Sequence, residues 1–277
     1  NSAVFPFRLV LAKRSPSCEE TNGILRFDYS ANQDYNDFGL RYKSAKGVTE
    51  AQLRAKSRWD PSSYYNIYVT NKIDGFNGTS GSGTNGFAYL FGAAGGATDG
   101  AYHHAGVVGK GKPTLGHEFG HALGLYHAFG QEESTTACQT TSASDPFNTG
   151  DLVADTAPTI NGNYYRTVYG VTRPTSATIN GCSNQPFDDI VINVMNYGSY
   201  RTVFTDGQVE RSVKLFLQYR SSFLKSKALI PLSEDGPESA ISLKTSCVPT
   251  LSTLTQGNYK YGMTRVQFGD IDVFSPS

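Results

Sequence analysis

His117-Glu118-Phe119-Gly120-His121-Ala122-Leu123-Gly124-Leu125-Tyr126-His127 gathers three of the five histidines of a 277-residue chain into one short run. On an α-helix His117 and His121 stand four residues apart, so their imidazoles leave one face and can take two corners of a tetrahedral zinc site. Glu118 lies beside that face, where its carboxylate can take a proton from an attacking water. A continuous helix would carry His127 roughly 15 Å along the axis from His117 and round to another side, at 1.5 Å and about 100° per residue. Gly124 removes the difficulty. Glycine accepts the left-handed conformation that ends a helix, so the chain can turn and bring His127 back to the metal. The other reading is a core helix with buried histidines and Gly124 as a plain cap. It gives no reason for Glu118 to stand next to the first His.

With every fixed position present, the string resembles the extended H-E-x-x-H-x-x-G-x-x-H signature of the metzincin metallopeptidases. That resemblance implies a methionine turn further along, and Asn193-Val194-Met195-Asn196-Tyr197 supplies one in a chain with only two methionines. By the same resemblance Met195 is expected to floor the zinc site by packing, without ligating the metal.

Composition narrows the setting. The formal net charge is zero, and no basic stripe or acidic tail points to nucleic acid or an anionic membrane. Charged residues make up only 17%, against abundant Gly and Tyr, a mix that favours a loop-rich secreted protein. The run from Val4 to Ala12 contains Pro6 and Arg8 and is too short to span a bilayer. No signal peptide is visible, so the expectation is that one was removed or that the chain begins at a processed end. Four cysteines, at 18, 138, 182 and 247, lack C-x-x-C spacing. Their even number suits two disulfides, with three pairings open; Cys138–Cys182 and Cys18–Cys247 are favoured, and free buried thiols are the alternative.

Along the chain, residues 5–12 and 24–29 read as strands. Thr49 caps a helix running to Trp59, with Asp60-Pro61 ending it. Tyr64 to Thr70 is the run richest in β-formers. The glycine-heavy stretch from Asp74 to Gly111 holds a formal G-x-G-x-x-G at Gly81 to Gly86 and the opening of a P-loop at Gly106 to Lys112. Neither reading holds, because Phe87 to Phe91 reads as a strand where a nucleotide fold needs a helix, and Pro113 stands where Ser or Thr would hold magnesium. The stretch instead predicts an edge strand near Phe87 to Phe91, able to bind an extended peptide, and a strand from Tyr102 to Val108 that leads into the zinc helix. His103 and His104 fall on opposite faces of that strand and are expected in solvated positions outside the zinc site. Asn77-Gly78-Thr79 is a glycosylation sequon.

After His127 the sequence becomes irregular. Asp151, Asp155 and Thr156 lie in a turn-prone stretch whose oxygens suit calcium, and spacing alone leaves solvated loop carboxylates equally open. Val209 to Leu224 reads as a helix capped by Thr205 or Asp206. Residues 229–240 have a linker composition, and Cys247 to Phe274 leans to β structure.

Within the metzincins the chain resembles the pappalysin-type peptidases from about Phe5 to Leu224. The match runs through Phe7 to Ala12, Trp59-Asp60, Tyr65 to Val69, Gly124 to Phe129, Asp151 to Pro158, Asn193 to Tyr197 and Phe204 to Gln208. The resemblance implies an α+β zincin fold over 1–228. An upper subdomain of twisted sheet and two helices would cover about 1–127 and a loop-rich lower subdomain with a C-terminal helix about 128–228; 229–277 would be a linker with a β-rich extension. It favours the calcium reading for Asp151, Asp155 and Thr156, and it makes Tyr197 a stabiliser of the tetrahedral intermediate. The chain departs from the pattern at Gly198-Ser199-Tyr200-Arg201-Thr202, where relatives that cut before Lys or Arg carry an acidic residue. Arg201 in the S1′ pocket would favour acidic or neutral residues there. A Cys usual just after the methionine turn is also missing, as is a strand and helix that relatives carry ahead of the first strand.

The expectation is thus a secreted zinc endopeptidase acting on protein or peptide, with His117, His121 and His127 as ligands and Glu118 as general base. The rival is a binding or adhesion protein with a silent zinc site. Glu118 counts against it, since a structural zinc needs no base.

Overall fold

The computed structural model describes residues 3, 7–130, 136–138, 145, 149–198, 201–228, 265–268 and 271–274. In chain order the strands are β1 (Phe7–Leu9), β2 (Ile67–Thr70), β3 (Gly86–Ala88), β4 (Ala101–His104), β5 (Ile179–Asn180), β6 (Gln185–Pro186), β7 (Arg265–Phe268) and β8 (Ile271–Phe274). The α-helices are α1 (Gln33–Phe38), α2 (Glu50–Ser57), α3 (Thr114–Ala122), α4 (Tyr165–Tyr169) and α5 (Asp206–Tyr219). The fold is α+β. The chain forms two compact units, one of Asn1–Phe5 with Lys110–Phe216, the other of Pro6–Gly109 with Leu217–Ser277.

The second of these units holds a small mixed sheet in the order β2-β4-β3. β2 runs parallel to β4, and β3 lies antiparallel on its other side as the edge strand that the glycine-rich region predicts. A column of rings crosses one face: Tyr68 on Tyr102 at 4.7 Å, Tyr102 on Phe87 at 4.8 Å and Phe87 on Tyr42 at 4.0 Å. Leu40, Val48, Leu53 and Ile73 close the core around these rings. α2 begins at a capping box, in which Thr49 Oγ1 accepts from Gln52 N while Gln52 Oε1 accepts from Thr49 N. Gly39 turns at φ +68°, with the Lys72 backbone so close that no side chain fits there.

Residues 24–29 differ from expectation. They form no strand among the described residues, and Ile24, Leu25 and Phe27 are exposed. Alternation in so short a run does not specify a neighbour. β1 pairs antiparallel with β8, which pairs antiparallel with β7, so these two strands of the β-leaning tail add to the first strand. Asn32 caps α1 by accepting from Tyr35 N, a helix the sequence reading passes over.

The core of the first unit gathers Leu125, Ile160, Phe187, Ile190, Val191 and Met195 around Tyr165 of α4, and Gly120 of α3 lies against Met195. The Cys138–Cys182 disulfide is present. Cys18 is disulfide-bonded, and Cys247 lies outside the described residues. No helix among the described residues is long and apolar enough to cross a membrane.

Candidate metal centre

α3 carries His117, Glu118 and His121 and stops at Ala122. Gly124 adopts φ +92°. Gly124 N donates to His121 O at 2.9 Å and Leu125 N to Gly120 O at 2.9 Å, the paired bonds of a Schellman turn. The chain reverses there and delivers His127.

The three imidazoles converge. His121 Nε2 lies 3.2 Å from His117 Nε2 and 3.2 Å from His127 Nε2, and the three ligand atoms all fall within 4.8 Å of one another. Two nitrogens bonded to one tetrahedral zinc at about 2.0–2.1 Å stand about 3.3–3.4 Å apart. The remote nitrogens fix the tautomers: His117 Nδ1 donates to Val194 O at 2.7 Å and His121 Nδ1 to Leu125 O at 2.8 Å. Their Nε2 lone pairs therefore face each other, a repulsive arrangement that a shared cation relieves. Burial holds all three rings neutral, pushing His121 down to about 4, His127 to about 3 and His117 well below the ordinary imidazole value. The donor set fits zinc.

Glu118 is buried beside the first ligand. Met195 is fully buried beneath α3; a methyl group on Gly120 would come 2.5 Å from Met195 Sδ, so glycine is what lets the sulfur approach the helix. Tyr197 lies over the ligands, its ring 4.7 Å from His127 and 5.7 Å from His117, and Phe129 stacks on His127 at 4.7 Å.

Arg201 packs into the same place. Its guanidinium donates to Asn196 O at 3.0 Å and stands 3.0 Å from His117 Nδ1, while burial lowers its pKa and the nearby Glu118 and Tyr197 oppose that. Asp151 is buried, with Oδ1 accepting from Val153 N at 3.2 Å. Asp155 Oδ2 accepts from Gly207 N at 2.8 Å, in the first turn of α5. Thr156 Oγ1 is buried with no hydrogen-bond partner.

His103 and His104 are both buried and not solvated as expected. All four residues of β4 are buried, so both faces of the strand are covered. His104 Nε2 meets Asn85 Oδ1 at 3.1 Å and its Nδ1 accepts from Gly106 N at 3.2 Å. Neither histidine joins the cluster; among the described residues only His117, His121 and His127 group as metal ligands. Sequence reasoning missed the carbonyls of Val194 and Leu125 and the ring of Phe129. The first two leave no signal in side-chain identity.

The sequence pattern of the pregnancy-associated plasma protein-A peptidase family matches residues 47–217. Among solved structures the chain is similar to mirolysin in complex with compound 9, with a TM-score of 0.51 and 23% identity over 77% of this chain and 73% of that one. A promirolysin mutant from Tannerella forsythia gives a TM-score of 0.47 and 22% identity over 77% of this chain. Tannerella forsythia mature mirolysin in complex with a cleaved peptide gives 0.44 and 21%, over 90% of this chain and 77% of that one. The chain spans 64% of the length of the promirolysin it matches. No curated protein matches it. The family match takes in more than half of the sequence and the whole of the metal centre, and the chain belongs to the pregnancy-associated plasma protein-A family, the pappalysin-type metzincin zinc peptidases.

Proposed function

We propose that the chain is a secreted zinc-dependent endopeptidase. The observation that carries this is the convergence of three neutral imidazoles at 3.2 Å spacing with Glu118 buried beside them. His117, His121 and His127 would hold zinc through Nε2. When bound, zinc polarises the scissile carbonyl and lowers the pKa of a coordinated water towards about 7. Glu118 takes the proton of the attacking water and passes it to the leaving amine. Tyr197, over the ligand rings, offers its hydroxyl to the oxygen that gains charge. The attacking group is water, so no acyl-enzyme forms. The Cys138–Cys182 disulfide supports an oxidising compartment and hence secretion.

Two further parts of the reading concern Arg201 and calcium. Three neutral histidines, one carboxylate, one guanidinium and a zinc ion leave the site cationic, so acidic or neutral side chains are favoured after the scissile bond. Asp151, Asp155 and Thr156 offer only oxygens, and the unpartnered Thr156 Oγ1 suits a hard cation in that loop.

The test is a complex peptide library incubated with the purified chain, with and without a zinc chelator, and read by mass spectrometry. Chelator-sensitive cuts are expected, enriched in acidic or neutral residues after the cleaved bond. Glu118→Ala should bind zinc as the parent does and lose about 10²–10⁴-fold in turnover. Cleavage that survives both chelation and Glu118→Ala would overturn the proposal, and cuts dominated by Lys or Arg would overturn the part given to Arg201. Calcium is tested by the thermal midpoint: it should rise with added calcium in the parent and stay put in Asp151→Asn.

A further inference from the structure

Two buried amides beside the methionine turn have no part in the chemistry above, and we infer that Asn193 and Gln208 are positioning residues that lock the carbonyls on which two of the three metal ligands depend. The inference rests on the zinc reading of the site. Both side chains are excluded from solvent. Asn193 Oδ1 accepts from Met195 N at 2.8 Å, which turns its amide nitrogen towards Gln208. Gln208 Oε1 accepts from Thr205 N at 3.0 Å, which turns its nitrogen back towards Asn193. Backbone donors thus set both orientations independently, and the two amides then pair reciprocally: Asn193 Nδ2 to Gln208 Oε1 at 2.9 Å and Gln208 Nε2 to Asn193 Oδ1 at 3.2 Å.

Gln208 is also the closing residue of the capping box of α5, its backbone N–H donating to Thr205 Oγ1 at 3.1 Å. One side chain therefore anchors the methionine turn to the start of a 14-residue helix. The two peptide carbonyls that follow Asn193 both serve the ligands. Val194 O accepts from His117 Nδ1 at 2.7 Å, and Met195 O accepts from Ala128 N, next to His127, at 2.9 Å. A rotation of this turn would release both together. Partners that orient metal ligands in this way are worth about 10–100-fold in metal affinity.

The experiment measures zinc affinity by competition with a chromogenic chelator, and the visible spectrum of the cobalt-loaded protein, for the parent, Asn193→Leu, Gln208→Leu, the double variant and Gln208→Glu. The last keeps an oxygen for Thr205 N and Asn193 Nδ2 and replaces the donor to Asn193 Oδ1 by a carboxylate oxygen, so that two acceptors face each other there. Each single Leu variant should lose about tenfold or more in zinc affinity and shift the cobalt absorption. The double variant should be little worse than either single, since the pair acts as one unit. Gln208→Glu should fall between parent and Leu. Should the Leu variants not fold, Gln208→Glu decides alone. Variants that match the parent in affinity and cobalt spectrum, with only the thermal midpoint lowered, would overturn the inference and leave the zinc site intact. A parent that binds neither metal would overturn the zinc reading itself and this inference with it.

Discussion

His117 Nδ1 has two neighbours that cannot both be satisfied. Val194 O at 2.7 Å needs a hydrogen on that nitrogen, whereas Arg201, a donor only, needs a lone pair at 3.0 Å. A ligand that gives Nε2 to zinc keeps its hydrogen on Nδ1, so Val194 wins. Arg201 is then a half-buried cation held by Asn196 O, its Nε without a partner, beside the imidazoles that would hold zinc. Arg201→Gln should therefore bind zinc several-fold more tightly than the parent and lose the proposed preference for acidic or neutral residues. Chelator competition at neutral pH reads the first effect; equal or weaker binding would show that the guanidinium does not oppose the metal. His103 makes a second case. Burial, with His104 adding to it, pushes its pKa to about 4, and neither ring nitrogen has a hydrogen-bond partner. In the unfolded chain the same ring titrates near 6.5. Between these values the unfolded chain takes up a proton that the folded one refuses, so stability falls as pH drops from about 6.5 to 4, with a limiting slope of about 1.4 kcal/mol per pH unit. The zinc ligands contribute in the same direction and are common to both proteins, so His103→Leu isolates this ring. In metal-free urea denaturation at pH 7 and pH 5, the variant should lose less stability on acidification than the parent, and equal losses would remove His103 from the account.

At the scale of elements, the contact between α3 and the methionine turn tolerates no extra atom. Gly120→Ala would set a methyl 2.5 Å from Met195 Sδ, and Met195 is fully buried, with nowhere to withdraw. The expected cost is about 1–3 kcal/mol. Shortening the facing side chain relieves it: in a Met195→Ala background the Gly120→Ala substitution should cost far less, a coupling that a double-mutant cycle in urea measures. Additive costs would mean that the two do not meet. This element was legible in the sequence because its signals are local: the four-residue His spacing, the glycine that ends the helix and the one-word pattern around Met195. α2 was legible for the same reason, through its cap Thr49. Thr205 was one of two candidate caps of α5, but nothing local shows that the Gln208 amide grips Asn193, 15 residues earlier. Residues 24–29 misled because alternation reports a face and not a partner. His103 misled in the opposite sense, since whether a strand is covered on one face or on both depends on what packs against the sheet from elsewhere in the chain.

At the scale of the whole molecule, the second unit is discontinuous in sequence, made of Pro6–Gly109 and of the chain that returns at Leu217. Closing it requires contacts across that gap: Ala228 packs with Ala12 and Tyr64, Tyr219 meets Phe91 at 4.9 Å, and polar ties fix the register. Ala228 O accepts from Lys13 N at 2.7 Å and Arg14 N at 3.1 Å, and Ser226 Oγ donates to Ser63 O at 2.6 Å. The main tie is ionic. Arg220 forks onto both oxygens of Asp99 at 2.7 and 2.8 Å, 121 positions apart in sequence, with each side chain only 1% exposed. The guanidinium also lies over the rings of Tyr65 and Phe223, and Asp99 Oδ2 accepts from Gly95 N as well. Bidentate geometry and these extra partners offset the desolvation of both ions. Asp99→Ala removes one ion and leaves the other buried, which costs about 3–5 kcal/mol, whereas Asp99→Leu with Arg220→Met replaces both charges by apolar volume and should come much closer to the parent. Urea midpoints of the three proteins decide between a tie that specifies the return of the chain and one that merely accompanies it. A small loss in Asp99→Ala would mean that water reaches Arg220 and that packing alone closes the unit. A large loss in Asp99→Ala, recovered in the apolar pair, would place the requirement on matching the two sides of the gap, whatever their chemistry.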